Sequence, residues 1–405
     1  MDRQAWIAVT LCGLGLVAWF IYTAGHPPQA VKPALAPATF SPSPSIAETA
    51  AAPAATAPSP GETAAASPAP EASPAPVVPA FEVKTETLAN DDVELRLTNR
   101  GGGIAEAHLL RHKSDTPSGR VILNSPEHLP IGAIIEQPAA PALQEFSVAR
   151  QPDGSVQFER AIPQGLDVKK RFALGPSEGK KDNYLAEMQI EFRNDGTAPY
   201  NSPGYFLALG ATAPIHPRDM AAYTRAVWCV DGKAKAIDVN WFAASNYPLI
   251  GVQKRAAQRY FQENVNGAEW GAMSDQFFTT ILSPLNAKAT QMWAERFEIP
   301  QPAGAPSLWG MEGAMGMPGF SLQPGQTSTL QVQIYAGPKL YHRLAKLGHD
   351  EAEIMNFGFF KLVSQALLNF LNLLHGWVGN YAIAIVLLTA CVKSILWPLQ
   401  NTANR

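Results

Sequence analysis

Lys393 is the charged residue with the most unusual position in this sequence, because it lies within a long apolar segment. It is the single charged residue in a mostly apolar run of nineteen residues, YAIAIVLLTACVKSILWPL, that extends from Tyr381 to Leu399. A lysine near the middle of a membrane helix costs about 2.5–3.5 kcal/mol, so such residues usually face a helix bundle or a water-filled cavity. Alternatively, the side chain extends to the membrane surface, because Lys393 lies about 9 Å from the end of the run. The residues alone leave both interpretations open.

The other residues that could bind a metal or take part in catalysis lack the neighbouring residues that a metal site or a catalytic site requires. His108 and His112 stand four positions apart, a spacing that chelates metals on a helix, but the surrounding AEAHLLRHK is equally compatible with a strand. No GxSxG, Walker or GxGxxG motif occurs. We therefore predict no metal site. The acidic pairs Asp91–Asp92 and Asp350–Glu351 are predicted to be solvated ends of elements.

Cys229 and the aromatic residues of the middle region have two interpretations each. Cys229 is the only cysteine between the two apolar ends, and we predict a small buried apolar residue. Aromatic side chains line sugar-binding clefts, but in a large β-sandwich most of them fill the core. The residues concerned are Trp228, Trp241, Tyr247, Trp270, Trp293 and Trp309.

Composition excludes several classes of protein. Among 405 residues, 31 are basic and 34 acidic, which argues against binding of nucleic acid. Three cysteines exclude a disulfide scaffold. The 35 prolines are concentrated near the start, and residues 25–80 are so rich in Ala, Pro, Ser and Thr that we predict a disordered linker.

Two apolar ends predict a membrane topology. The run from Ala5 to Ala24 has no charge and is long enough to cross a bilayer, and the bulky Tyr22 disfavours signal-peptide cleavage. Residues 1–24 are therefore predicted to be an anchor. Because Arg3 precedes it and no basic residue follows until Lys32, the N-terminus is expected in the cytoplasm and residues 25–380 in the periplasm. Residues 381–405 would contain the return crossing.

Two helical patterns precede that crossing. In the stretch 357–380, apolar residues recur at helical spacing opposite a polar face, which predicts an amphipathic helix on the membrane surface; a core helix is the alternative. Leu340, Leu344 and Leu347 share a face of a shorter predicted helix that Gly348 would end. Together these form a predicted connector at 339–380.

Residues 81–338 have the alternating pattern of β-strands. Apolar side chains recur every second residue between Gly, Asn-Asp-Gly and Pro-Asp-Gly turn signals. The alternating sets are Val93, Leu95, Leu97; Val156, Phe158; Val168, Lys170, Phe172; Met188, Ile190, Phe192; and Leu330, Val332, Ile334. The predicted fold class is mainly β, a large antiparallel sandwich flanked by transmembrane helices, with an interfacial amphipathic helix.

Several segments resemble the YidC family of membrane protein insertases. They are YAGPK at 335–339, LLHGWVGNYAIAIVLLTACVKSILWPLQ at 373–400, LTNRGGGIAEAHLL at 97–110 and DQFFTTIL at 275–282. The resemblance implies a periplasmic β-supersandwich, an interfacial helix and the first of five core spans. Two departures stand out: the family usually has arginine where this chain has Lys393, and only one core span is present.

The resemblance implies a mechanism without covalent chemistry, so that neither enzymatic activity nor a cofactor is expected. Lys393 would supply the positive charge of a hydrophilic groove that receives nascent membrane proteins in the bacterial inner membrane, with the Sec translocon as a further partner. The Trp397-Pro398-Leu399 motif matches the family, and Trp377, Trp397 and Pro398 would be structural residues at the membrane interface. The alternatives are a membrane-tethered, mutarotase-like carbohydrate-binding module and a periplasmic scaffold.

Overall fold

The computed structural model of the chain describes residues 81–114, 119–143, 145–176, 183–246, 253–355 and 361–403. The predicted anchor at 1–24, the predicted linker at 25–80 and Tyr247 lie outside these residues. The described part consists mainly of antiparallel β-sheet, followed by helices.

The largest sheet has nine strands, in the spatial order β12-β11-β16-β17-β20-β9-β8-β7-β6. Along the chain these strands are β6 (Ser147–Arg150), β7 (Val156–Ile162), β8 (Leu166–Leu174), β9 (Leu185–Asn194), β11 (Arg225–Val230), β12 (Lys233–Asp238), β16 (Trp270–Ser274), β17 (Phe278–Pro284) and β20 (Thr327–Pro338).

Three smaller sheets complete the β structure of the described residues. One has the order β1-β2-β3-β4, with β1 (Thr85–Ala89), β2 (Val93–Thr98), β3 (Gly103–Lys113) and β4 (Arg120–Leu123). The five-stranded sheet has the order β15-β18-β19-β10-β5, with β5 (Ile134–Ile135), β10 (Tyr200–Thr212), β15 (Tyr260–Ala268), β18 (Ala289–Ile299) and β19 (Leu308–Leu322). The pair β13 (Ser245–Asn246) and β14 (Gln253–Arg255) stands apart.

The nine-stranded and five-stranded sheets pack face to face. A methyl group added to Gly271 of β16 would lie 3.2 Å from the side chain of Leu209 on β10 and 3.3 Å from that of Met315 on β19. Because such contacts are tight, the glycine allows the two sheets their close approach. This arrangement confirms the predicted antiparallel sandwich.

The alternating pattern located the inward-facing side chains of the sheets. All the apolar members of the alternating sets, on β2, β7, β8, β9 and β20, are buried. Lys170 of β8 is also buried. Its place in the alternation predicts burial, although a basic side chain is usually exposed. Its Nζ donates hydrogen bonds to the carbonyl oxygens of Gly101, Gly102 and Gly132, the last at 2.6 Å.

Helical elements follow the last strand. They are α1 (Tyr341–Leu344), a 3₁₀ turn (Glu351–Met355), α2 (Lys361–Val378) and α3 (Tyr381–Ala403); two more 3₁₀ turns, Ala221–Tyr223 and Val239–Phe242, lie between strands. The short helix predicted around Leu344 is therefore a single turn. Gly348, which was predicted to end this helix, has a φ of +105° but lies three residues beyond the C-cap, Ala345.

Within the described residues, no helix meets the combined length and hydropathy required of a membrane span. The crossing predicted within residues 381–405 and the multi-pass topology remain predictions.

Candidate functional site

The helices α2 and α3 form a hairpin with a well-defined corner. Gly379 has a φ of +67°, and its N–H donates to the carbonyl of His375 at 2.7 Å. Asn380 then caps α3, because its Oδ1 accepts hydrogen bonds from the backbone N–H groups of Ala382 and Ile383. The rings of His375 and Tyr381 stack across the corner, with centroids 3.7 Å apart.

Most large apolar side chains of this hairpin are exposed. Leu374 of α2 and Ala384 of α3 are buried where the helices pack together. The exposed ones are Val363, Leu367, Leu373, Trp377, Val378, Tyr381, Ile383, Ile385, Val386, Leu387, Leu396 and Trp397. Of the face predicted for the amphipathic helix, Val363 and Leu367 are exposed and Leu374 is buried, while Phe359 lies outside the described residues.

Lys393 is exposed on α3, one helical turn before Trp397. The hydroxyl groups of Thr389 and Ser394, near it on the helix, donate to the helix carbonyls of Ile385 and Ala390 at 2.8 Å. The sequence from Lys361 to Ala403 contains no Asp or Glu, so the hairpin itself has no carboxylate to neutralise Lys393. Pro398 lies within α3. The groove role of Lys393 and the interfacial roles of Trp377, Trp397 and Pro398 remain predictions.

Two of the segments that resemble the family meet at the end of the β-sandwich. The start of DQFFTTIL lies beside the end of YAGPK because β17 pairs with β20, with Phe278 opposite Pro338. The Lys339 ammonium donates to the carbonyl of Asp275, and its backbone N–H donates to the carbonyl of Phe277 at 2.7 Å. The Asp275 carboxylate accepts from the backbone N–H groups of Phe277 and Phe278. These contacts fix the point where the chain leaves the sheet.

Burial controls the titration of both charged groups at this exit. It raises the pKa of Asp275 to about 6, although hydrogen bonds from the Phe278 and Phe277 amides act in the opposite direction. It lowers the pKa of Lys339 to about 8, while the nearby Asp275 opposes the change. The sequence interpretation missed this pair, since Asp275 and Lys339 are 64 positions apart.

The segment after β20 is fastened to the sandwich. Trp270 donates from Nε1 to the carbonyl of His349 at 2.7 Å, and Ser283 donates to Oε1 of Glu351 at 3.2 Å. Leu344 is fully buried, whereas Leu340, expected on the same inward face, is 39% exposed because it stands outside the single helical turn. The connector to α2 thus begins as part of the domain core.

The prediction of solvated acidic ends was wrong for two residues. Asp92 is fully buried; its carboxylate pairs with Arg111 at 2.7 Å and accepts a hydrogen bond from the backbone N–H of Asn183. Glu351 is also fully buried and accepts from the backbone N–H of His349 at 2.8 Å. Buried carboxylates require such partners, which a single sequence does not reveal.

The remaining candidate residues of the sheets have structural surroundings. His108 Nε2 lies 3.0 Å from Glu106, and His112 Nε2 lies 3.2 Å from the Tyr184 hydroxyl, so the two histidines have separate partners. Cys229 is buried as predicted, and burial raises the pKa of its thiol to about 12. Of the aromatic residues proposed for a cleft, Trp228, Trp270 and Trp293 are buried, and Trp241 and Trp309 are partly buried against the core. They form no open aromatic platform.

Comparisons with known proteins place these observations in a family. A family model described as the YidC periplasmic domain matches residues 86–370. A membrane protein insertase YidC of Geobacter sulfurreducens is 24% identical over 330 residues, which cover 76% of this chain and 55% of that protein. The corresponding protein of Burkholderia vietnamiensis is 24% identical over 252 residues, covering 62% of this chain and 41% of that protein. The chain thus spans about half the length of these curated relatives.

Matches to solved structures are more distant. A galactose mutarotase related enzyme from Lactobacillus acidophilus matches with 10% identity and a TM-score of 0.39, covering 62% of this chain and 97% of that one. A putative aldose 1-epimerase from Escherichia coli K12 matches with 12% identity and a TM-score of 0.36, covering 63% and 99%.

Proposed function

Given that this chain belongs to the YidC family and carries the family's periplasmic domain, we propose that it forms part of a membrane protein insertase. Its clients would be newly made proteins of the bacterial inner membrane, received directly or from the Sec translocon. The proposed activity consists of binding and release, and no covalent bond of the client changes. The named relatives support this activity, and the α2–α3 hairpin is the part of the chain that we assign to it.

The exposed apolar surface of the hairpin is the observation that carries the proposal. Side chains such as Ile385 and Val386 point away from the protein on α3, and Trp377 is 77% exposed near the end of α2. Water-soluble proteins rarely expose contiguous apolar surface on this scale, and such surface marks contact with a membrane or another protein. We infer that lipid covers it, with α2 at the outer membrane surface and α3 inside the bilayer.

Lys393 is proposed to attract the acidic tail of a client. An ammonium group in a hydrated groove of low effective dielectric interacts with a carboxylate more strongly than it does in bulk water. Since the hairpin contains no Asp or Glu, this charge is available to an incoming chain. Attraction of the tail would lower the free-energy barrier to moving its polar residues into the bilayer. The apolar segment of the client would then leave into lipid, driven by burial of its apolar surface.

The finer topology belongs to the same proposal. The segment 1–24 would anchor the chain with its N-terminus in the cytoplasm, and residues 25–380 would lie in the periplasm. Labelling of single introduced cysteines by a membrane-impermeant maleimide tests this. In a variant without native cysteines, Ser307→Cys should be labelled in intact spheroplasts, and Asn401→Cys only after the membrane is permeabilised. The reverse pattern would contradict the topology.

The decisive experiment replaces Lys393 in the protein as it occurs in the cell. In cells depleted of their own insertase, Lys393→Ala should reduce insertion of a single-span client with an acidic tail by about tenfold or more, because a lost interaction of about 1.4 kcal/mol has that effect. Lys393→Arg should preserve insertion, since it keeps the charge.

The same client with its tail carboxylates changed to amides is the matched control, and it should insert equally well with wild type and Lys393→Ala. Normal insertion of the acidic client by Lys393→Ala would exclude the charge role. It would favour a scaffold that uses its helices only as anchors.

A further inference from the structure

A second cluster of polar residues lies on the face of the five-stranded sheet that points away from the nine-stranded sheet. Glu295 of β18 and Glu312 of β19 are directly opposite each other in the strand register. His128, from the segment before β5, approaches from above: its Nδ1 lies 3.3 Å from Glu312, and its ring contacts that of Phe297 with centroids 3.9 Å apart. None of these residues takes part in the function proposed above.

The pKa values of the two carboxyl groups are shifted in opposite directions. Burial and the hydrogen bond with Glu312 raise the pKa of Glu295 to about 7. Burial acts to raise the pKa of Glu312 as well, but hydrogen bonds from His128 and Glu295 outweigh it and lower that pKa. The pair therefore presents carboxyl oxygens that can accept hydrogen bonds beside a neighbouring cavity.

A cavity of about 460 Å³ lies beside this pair. That volume is in the range of sites for small organic ligands. Its lining includes Arg100, Thr98 and Trp293 besides the two glutamates, together with apolar residues of the segments 129–130 and 139–142. The cavity thus combines hydrogen-bonding groups on the sheet with an apolar wall opposite.

Trp293 supplies an independent sign that something belongs in this cavity. Its side chain is 1% exposed, and its Nε1 has no hydrogen-bond acceptor among the described residues. Trp293 and Glu295 are two positions apart on β18 and so share the outer face of the sheet. A buried N–H group without an acceptor is unfavourable by about 1–3 kcal/mol, which a ligand oxygen would relieve.

We propose that this cavity binds an uncharged, hydroxyl-rich ligand of the size of a sugar. Acidic and basic groups line this cavity together, because Arg100 and His128 stand beside the two glutamates and Glu127. A charged ligand would leave an excess charge in a partly buried site. Hydroxyl groups, by contrast, both donate and accept, which matches carboxyl oxygens, a guanidinium and an indole N–H that line one cavity. This inference is independent of the insertase proposal.

The test titrates sugars into the full chain. The protein is held in a zwitterionic detergent, since detergents with sugar headgroups would compete. D-glucose, D-galactose and N-acetyl-D-glucosamine are the probes, and saturation-transfer NMR is the readout. At least one should bind with a dissociation constant of about 1 mM or tighter. Trp293→Phe removes the indole N–H and makes the aromatic ring system smaller, and it should weaken binding about fivefold or more. Glu312→Gln should weaken binding about tenfold or more.

The chain provides matched controls for both substitutions. Trp228 is also buried with no acceptor for its Nε1 among the described residues, but it does not line the cavity, so Trp228→Phe should bind like wild type. Glu298→Gln on the same strand should do so too. Absence of saturable binding by all three sugars overturns the proposal, as does equal weakening by Trp293→Phe and Trp228→Phe. Binding of ethylammonium instead of a sugar, lost in Glu312→Gln, overturns the ligand class.

Discussion

The β-sandwich and the α2–α3 hairpin distribute polar and apolar side chains in opposite ways. In the sandwich, apolar side chains are buried, and even Lys170 and Asp275 are buried with hydrogen-bond partners. In the hairpin, apolar side chains such as Val386 are exposed, and so is Lys393. One chain therefore contains a region whose stability comes from its own core and a region whose apolar surface requires an external cover.

Loss of the buried charge in the sandwich should have the largest effect. Lys170→Ala leaves the carbonyl groups of Gly101, Gly102 and Gly132 without their donor and opens a cavity. We expect it to lower the free energy of unfolding by about 3–5 kcal/mol. Urea denaturation followed by circular dichroism measures this.

Lys169→Ala is the matched control for that substitution. Lys169 is the next residue on β8, but its side chain is 35% exposed and pairs with Glu159 at the surface. Its removal should change the free energy of unfolding by about 1 kcal/mol at most. Equal effects of the two substitutions would mean that the bonds of Lys170 contribute little to the fold.

A charge placed on the exposed face of α3 should act on the membrane and leave the sandwich unchanged. Val386→Asp is expected to make membrane insertion of α3 less favourable by about 2.5–3.5 kcal/mol. The insertion efficiency of α3, measured by glycosylation mapping in microsomes, reports this. Unfolding of the sandwich should change by no more than about 0.5 kcal/mol. If Val386→Asp destabilised the sandwich instead, the two regions would share a core. Ser307→Asp, in an exposed loop, should affect neither quantity.

Asp275 and Lys339, where the chain leaves the sandwich, should have a smaller effect on the free energy of unfolding, and that effect should depend on pH. Because the pKa of Asp275 is about 6 in the folded chain, above its ordinary ~3.9, the folded state binds more protons between these values. The free energy of unfolding should therefore fall as pH rises through that window. The pKa of Lys339 is about 8, below its ordinary ~10.4, so stability should rise again above pH 8. Asp219 and Arg225 also act on this pair.

The difference between wild type and Asp275→Asn isolates the acidic limb. It should be about 3 kcal/mol across the window. Lys339→Met should likewise remove the rise on the alkaline side. A pH profile of unfolding that Asp275→Asn leaves unchanged would show that this carboxyl does not couple protonation to folding.

Sequence predicted those features that depend on neighbours along the chain. The alternation through Val168, Lys170 and Phe172 identified the inward face of β8 because side chains alternate across a strand. It could not identify the acceptors of Lys170, since they lie in loops 38 to 69 positions away. The same limit applies to Glu295 and Glu312, which meet only through strand register. Lys393 was selected as a candidate from the contrast between its charge and its apolar surroundings, which is local information, and its role in a groove remains a prediction.

The position of β20 in the nine-stranded sheet has a consequence for the order of folding. This strand lies between β17 and β9, so it joins one half built from residues 147–194 to another built from residues 225–284. Among the nine strands of this sheet it is also the last in chain order. Until it emerges, each half has an unpaired edge, and the contacts that unite them are distant in sequence. We therefore expect the two halves of the sheet to pair through β20 only when residue 338 has emerged from the ribosome, just before the chain continues towards the helical hairpin.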